Sequence, residues 1–209
     1  MNPFNNKLDI STEAPLFKNR NELIKWIPHK GIGIEIGVNA GEFSKIILEK
    51  NDPQKLYLVD CWEHQDHYCW VDDSNIPTED KLKLLETIKE RYKLDDRVVI
   101  KRGYSLDIVK TFDDNYFDWI YIDADHWKIY EDITAWMPKL KEGGYMMGHD
   151  YMDSLASPKS EIPAPIPVKK FIDWYTKMYS YKLHITGEPN FKSFMFRKVP
   201  PFQTNWEKV

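Results

Sequence analysis

The sequence has little cysteine, little net charge and no long apolar run. Two cysteines in 209 residues, Cys61 and Cys69, cannot build a disulfide framework, which excludes the small stapled folds and makes a reducing cytoplasm the expected compartment. No apolar stretch approaches the length of a bilayer span, so no membrane partner is expected. The opening Met1-Asn2-Pro3-Phe4-Asn5-Asn6-Lys7 lacks the apolar core of a signal peptide, which agrees with a cytoplasmic location. A net charge of −4 and a pI near 5.9 argue against a nucleic-acid partner, which favours a basic face. Cys61, His64, His67 and Cys69 offer soft ligands, but at intervals so short that four of them would strain a tetrahedron, which argues against zinc.

What is present is the composition of an ordinary globular chain, long enough for one continuous core. A single domain over residues 1–209 is expected, with no internal repeat. Aromatics make up 14% of the chain, more than the strands need; they point to a pocket, an interface such as a homo-oligomer would use, or an aromatic-rich core.

Short apolar runs alternate with helical patterns. Gly33–Ile36, Lys55–Asp60, Arg97–Ile100, Phe117–Ile122 and Tyr145–Gly148 read as strands. Glu42–Leu48, Asp80–Tyr92 and Ile129–Leu140 read as helices between them, the last ended by Gly143-Gly144. Such alternation predicts an α/β fold, a doubly wound and mostly parallel sheet with helices on both faces. The end of the chain differs. A helix over Val168–Met178 is followed by strands Tyr181–Thr186 and Phe191–Arg197 around the turn Gly187-Glu188-Pro189-Asn190, which predicts an antiparallel hairpin and about seven strands in all. Two loop insertions, near 62–79 and 152–167, follow carboxyl ends of strands, where open α/β sheets bind ligands; they suit a lid or substrate wall. Trp62, His64, His67, Tyr68 and Trp70 in the first could stack on an acceptor or close the protein's own core.

The turn Glu35-Ile36-Gly37-Val38-Asn39-Ala40-Gly41 closes the first strand and opens the first helix. Glycine lets backbone approach a ligand, and the helix start offers free N–H groups; a structural turn explains the spacing equally well. Asp60, ending the second strand about twenty residues on, suits ribose hydroxyls. A dinucleotide site needs a third glycine to cradle pyrophosphate, but position 39 is Asn, and Glu35 would repel a phosphate. A phosphate-free cofactor, S-adenosyl-L-methionine, is therefore favoured over NAD.

Asp123, Asp125 and His126 follow the fourth strand, and His149 and Asp150 the fifth. If those strands are neighbours, the clusters meet at one rim. There they could bind a hard divalent cation such as Mg2+ and, with a neighbouring base, activate a hydroxyl. The competing reading is that Asp123 and Asp125 only cap the next helix.

Four motifs in order, Glu-Ile-Gly-Val-x-x-Gly-x-Phe-Ser, Leu-Val-Asp-x-Trp, Tyr-Ile-Asp-Ala-Asp-His and Gly-Gly-x-x-x-Gly-His-Asp-Tyr, resemble the methyltransferase domain family 24 group of class I S-adenosylmethionine-dependent methyltransferases. That group is similar to macrocin-type sugar O-methyltransferases, and the likeness runs from about Asn21 to Arg197. It implies that Glu35, Gly37 and Gly41 line the methionine end of the cofactor, with Asp123 beside it. It implies that Asp60 takes the ribose and that Ser105 lies near the adenine. It further implies Asp123 and Asp150 as metal ligands and Asp125 as the base. The chain departs where His149 stands in place of an Asp; histidine suits softer divalent cations than Mg2+, or could itself be the base, as could His126. It departs again where Trp127-Lys128-Ile129 precede Tyr130-Glu131.

The expected activity is O-methylation of a small-molecule acceptor, for which the resemblance implies a sugar. The alternatives are an N- or phenolic O-methyltransferase, a Rossmann-like NAD-linked oxidoreductase or epimerase, and a non-catalytic module that kept the cofactor fold.

Overall fold

The computed structural model describes residues 17–65, 75–155, 164–165 and 167–200. Five parallel strands, β1 (Ile32–Ile36), β2 (Lys55–Asp60), β3 (Val98–Arg102), β4 (Phe117–Ile122) and β5 (Leu140–Gly148), form most of the sheet. A separate two-residue ribbon pairs β6 (Ser154–Leu155) with β7 (Ala164–Pro165). The chain then returns through β8 (His184–Ile185) and β9 (Phe194–Arg197), both antiparallel to their neighbours, for a seven-stranded order of β3-β2-β1-β4-β5-β9-β8. The α/β sheet is thus mostly parallel with an antiparallel carboxyl-terminal pair, as the alternation predicts.

Alternation along β1 decides which residue faces which layer. Ile34 and Ile36 join Val59, Ile120, Ile122 and Met146 in one core, covered by α5 (Ile129–Trp136) and α6 (Val168–Met178) through Ile133, Trp136 and Ile172. Leu56, Leu58, Trp119, Tyr121 and Met147 face the opposite core, covered by α2 (Glu42–Lys50) and α3 (Thr78–Tyr92) through Phe43, Ile47, Leu85 and Ile88. Each fully buried Ile or Leu contributes about 1.5–3 kcal/mol, so two-sided burial dominates the sheet's stability. Glu35, between two isoleucines, is carried onto the second face and into that core's edge.

The order reverses between β2-β1 and β4-β5, so the crevice for a ligand opens at the carboxyl ends of β1 and β4. A short α1 (Arg20–Leu23) closes one side of it, and α4 (Ser105–Ile108) follows β3 on the other. No helix among the described residues is long and apolar enough to cross a membrane.

Two expectations are corrected. The helix after β4 ends at Trp136, and Pro138 within a 3-10 turn (Met137–Lys139) stops it. Gly143-Gly144 therefore lie inside β5, which starts at Leu140 and shifts register against β4 between Phe117 and Trp119. The terminal strands are also shorter than Tyr181–Thr186 and Phe191–Arg197. The Tyr181 N–H bonds the Thr176 carbonyl of α6 at 2.8 Å instead of a ladder partner, and the Ser193 N–H is taken by the Thr186 hydroxyl oxygen at 2.8 Å.

Candidate functional site

A cavity of about 540 Å³ opens at the switch point, within the range of small-molecule and cofactor sites. Its walls come from the exits of β1, β2, β3 and β4, with Asp150 from beyond β5. Glu35, Gly37, Asp60, Ser105, Asp123, Asp125, His126 and Asp150 all line it. Gly41 and His149 are not among the lining residues.

At the first turn the strand exits are knitted together. The Gly37 N–H donates to the Val59 carbonyl at 2.8 Å, and the Asp123 N–H to the Ile36 carbonyl at 2.7 Å. Gly37 has φ +92°, and a Cβ there would lie 1.9 Å from the Asp123 carbonyl oxygen. Its glycine is therefore required by the β4 exit itself. Gly41 (φ +74°) starts α2 and faces Ile88 of α3, where a Cβ would sit 3.2 Å away; it shapes the turn from behind the cavity wall.

Glu35 is 2% exposed and accepts the Ser44 hydroxyl at 2.5 Å. Burial pushes its carboxyl up to about 8, partly offset by the Ser44 bond and by Arg20. The fold therefore holds a proton on Glu35 at neutral pH that the unfolded chain releases above about 4.5. Its stabilising contribution is complete below the unfolded value and is lost as pH rises through about 8, on the order of 1.4 kcal/mol per pH unit between them. Melting curves of the wild type should fall from about pH 5 to about pH 9 relative to those of Glu35→Gln. Parallel curves for the two proteins would show that Glu35 does not titrate in this way.

Asp60 is held by two backbone donors from residues in left-handed conformation. The Asn39 N–H (φ +48°) reaches Oδ2 at 2.8 Å and the Trp62 N–H (φ +47°) reaches Oδ1 at 2.7 Å. Trp62 is fully buried, and its indole N–H donates to the Asn39 carbonyl at 2.9 Å. It belongs to the protein's own core, where a stacking role was one expectation. His67, Tyr68, Cys69 and Trp70 lie outside the described residues.

Below β3, the Ser105 hydroxyl is committed twice. It donates to Asp132 Oδ1 at 2.5 Å and accepts the Trp136 indole N–H at 2.8 Å. Burial lifts the Asp132 carboxyl to about 6 against the Ser105 bond. The sequence carries no signal for Asp132, which is one of two acidic residues in the first turn of α5. Lys81 is likewise unforeseen: it is buried on α3, lines the cavity and donates to Asn39 Oδ1 at 3.3 Å.

The two acidic clusters meet at the rim because β4 and β5 are neighbours. His149 Nδ1 stands 3.6 Å from Asp123 Oδ1 and 3.4 Å from Asp150 Oδ1. His126 Nε2 stands 3.2 Å from Asp150 Oδ2. One donor atom from each of Asp123, His149 and Asp150 lies within 4.8 Å of the others. Burial pushes the His149 imidazole down, but the two carboxylates outweigh it and raise it to about 9. The ring also stacks on Phe191 at 6.4 Å. Asp125 is the N-cap of the 3-10 turn His126–Lys128: Oδ1 accepts the Trp127 N–H at 3.0 Å, and Lys128 Nζ lies 3.7 Å from Oδ2. Capping accounts for one oxygen of Asp125 and for nothing in Asp123 or Asp150.

Solved structures that resemble this chain share its fold at low identity. A Corynebacterium glutamicum protein superposes with a TM-score of 0.61 at 13% identity, over 91% of this chain and 85% of that one. A candidate caffeoyl-CoA O-methyltransferase from Staphylococcus aureus gives 0.59 at 15% identity, over 85% and 80%. The M1A22 tRNA methyltransferase of B. subtilis gives 0.56 at 12% identity, over 90% and 68%. No curated protein matches the sequence. A family profile described as a methyltransferase domain matches residues 34–151, more than half of the chain, and the match spans β1 to the exit of β5, the elements that wall the cavity. The chain therefore belongs to this methyltransferase domain family and is a class I S-adenosylmethionine-dependent methyltransferase.

Proposed function

We propose that this methyltransferase transfers its methyl group to a hydroxyl oxygen of a small molecule, a sugar being the class favoured by the motif resemblance, with help from a divalent cation. The observation that carries the reading is the convergence of Asp123, His149 and Asp150 on one point beside the cavity. Two carboxylates and one imidazole form a donor set that fits a divalent ion, and the imidazole favours Mn2+, Fe2+ or Zn2+ over Mg2+. These three residues would hold the ion, and the proton on His149 would leave before its ring could ligate. When bound, the ion would acidify the acceptor hydroxyl beside the electrophilic methyl donor.

The remaining roles fall to the chain's own groups. Glu35, Gly37 and Asp123 bound the methionine end, and Asp60 keeps two oxygen lone pairs beyond its backbone donors for the ribose hydroxyls. Gly41 sets the turn from behind. Asp132, through its bond to Ser105, carries an acceptor toward the adenine side. Asp125 is the base, at the cavity wall beside Lys128. Without the ion, His149 is protonated below about pH 9 and pairs with the two carboxylates; with it, the neutral ring is a ligand. His126 orients Asp150.

The test is a screen of sugars and phenols with S-adenosylmethionine, run with divalent cation and with EDTA. Turnover should vanish in EDTA and return with Mn2+ or Mg2+, and Asp150→Ala should lose the response to metal. Turnover indifferent to EDTA, or an Asp150→Ala enzyme with unchanged metal response, would overturn the metal assignment.

A further inference from the structure

We propose that Arg20 binds the α-carboxylate of the cofactor's methionine moiety, as a cationic anchor supplied from outside the matched methyltransferase segment. The proposal rests on the reading that the cavity holds S-adenosylmethionine with its amino-acid end at the β1 turn.

That end of the cofactor carries an ammonium and a carboxylate. The wall there carries the Asp123 carboxylate, which suits the ammonium and leaves the cofactor's own carboxylate in need of a cation. Three Lys or Arg side chains line the cavity among the described residues: Arg20, Lys81 and Lys128. Lys81 reaches Asn39 Oδ1, on the residue that binds Asp60 and so at the ribose side. Lys128 stands by Asp125. Arg20 is the one that meets the β1 and β4 exits.

Its guanidinium is fixed before any ligand arrives. The guanidinium carbon lies 4.6 Å from the Phe43 ring centroid, in the first turn of α2, and Nη1 lies 3.3 Å from Asp123 Oδ2. A guanidinium has five N–H donors in a planar fork that matches a carboxylate, so the single bond to Asp123 leaves enough for a paired contact. The side chain is 29% exposed, neither sealed off nor free to swing. The backbone beneath it is clamped from both sides. The Arg20 N–H donates to Glu188 Oε1 at 3.1 Å, and the Gly187 N–H donates to the Phe17 carbonyl at 2.8 Å. On the other side, Asn51 Nδ2 donates to the carbonyls of Ile24 and Ile27, each at 3.2 Å.

The test compares two ligands on two proteins by calorimetry: S-adenosylhomocysteine and its decarboxylated analogue, on wild type and Arg20→Met. Wild type should prefer the carboxylate-bearing ligand by roughly 10- to 100-fold, the scale of a charge-assisted pair. Arg20→Met should lose that preference and bind the decarboxylated analogue as wild type does. An equal loss for both ligands, or no loss for either, would overturn the proposal. Arg20→Lys keeps the charge and loses the fork, and it should retain a reduced preference; a full preference in that variant, or none, also counts against the proposal. Failure of wild type to bind S-adenosylhomocysteine at all would instead overturn the cofactor placement itself.

Discussion

Asp60→Ala is expected to abolish measurable binding of S-adenosylhomocysteine. The carboxylate has four lone-pair sites, of which two accept the backbone N–H groups of Asn39 and Trp62. The other two are available to the ribose hydroxyls. A hydrogen bond to a charged group contributes about 1.5–3 kcal/mol, so losing a pair weakens binding by roughly 10²- to 10⁴-fold. The substitution also frees the left-handed backbone at Asn39 and Trp62, which the carboxylate holds on either side of the cavity. Asp60→Asn separates the two effects: its amide oxygen still accepts one N–H, while its NH2 group opposes the other donor. It should bind more weakly than wild type and melt lower. Calorimetry on the three proteins checks this, and a dissociation constant for Asp60→Ala within threefold of wild type would remove Asp60 from the ribose site.

The second large effect is on turnover. Asp125→Asn should leave S-adenosylhomocysteine affinity unchanged and lower kcat by roughly 10²- to 10⁴-fold, the usual contribution of a positioned general base. The amide can still accept the Trp127 N–H that Asp125 Oδ1 now takes at 3.0 Å, so the cap survives and only the base is removed. Asp125→Ala loses both, with an added stability cost of about 1 kcal/mol for the cap. His149→Ala should also spare cofactor binding and remove turnover, because the imidazole stands between Asp123 and Asp150. An Asp125→Asn enzyme with kcat within tenfold of wild type would transfer the base to His126, whose pairing with Asp150 orients its ring.

Most of the fold was legible in the sequence because two-sided burial writes itself as short apolar runs. Lys55–Asp60, Phe117–Ile122 and Val168–Met178 match their elements to the residue. The misreading at Gly143-Gly144 has a local cause. A glycine pair after a helical pattern reads as a helix stop, but Pro138 had already stopped that helix, and the pairing of β5 with β4 carries the strand through the glycines. The terminal hairpin was readable as a hairpin but not in length, since its lost pairs go to α6 and to a side-chain hydroxyl, partners distant in sequence or outside the ladder pattern.

The site divides along the same line. Spacing and residue type were enough to bring Glu35, Gly37, Asp60, Asp123, Asp125 and Asp150 to the cavity wall, because a strand followed by a turn places its carboxyl end at the sheet rim by local geometry alone. Only the tertiary structure decided that β4 lies beside β1 and β5, and hence that the acidic clusters converge. It alone left Gly41 and His149 out of the cavity lining, turned Trp62 into core, and committed the Ser105 hydroxyl to Asp132. Arg20 and Lys81 belong to the same class. Their sequence neighbours mark them as ordinary helix-surface cations, and what they face is set by long-range packing that no local pattern encodes.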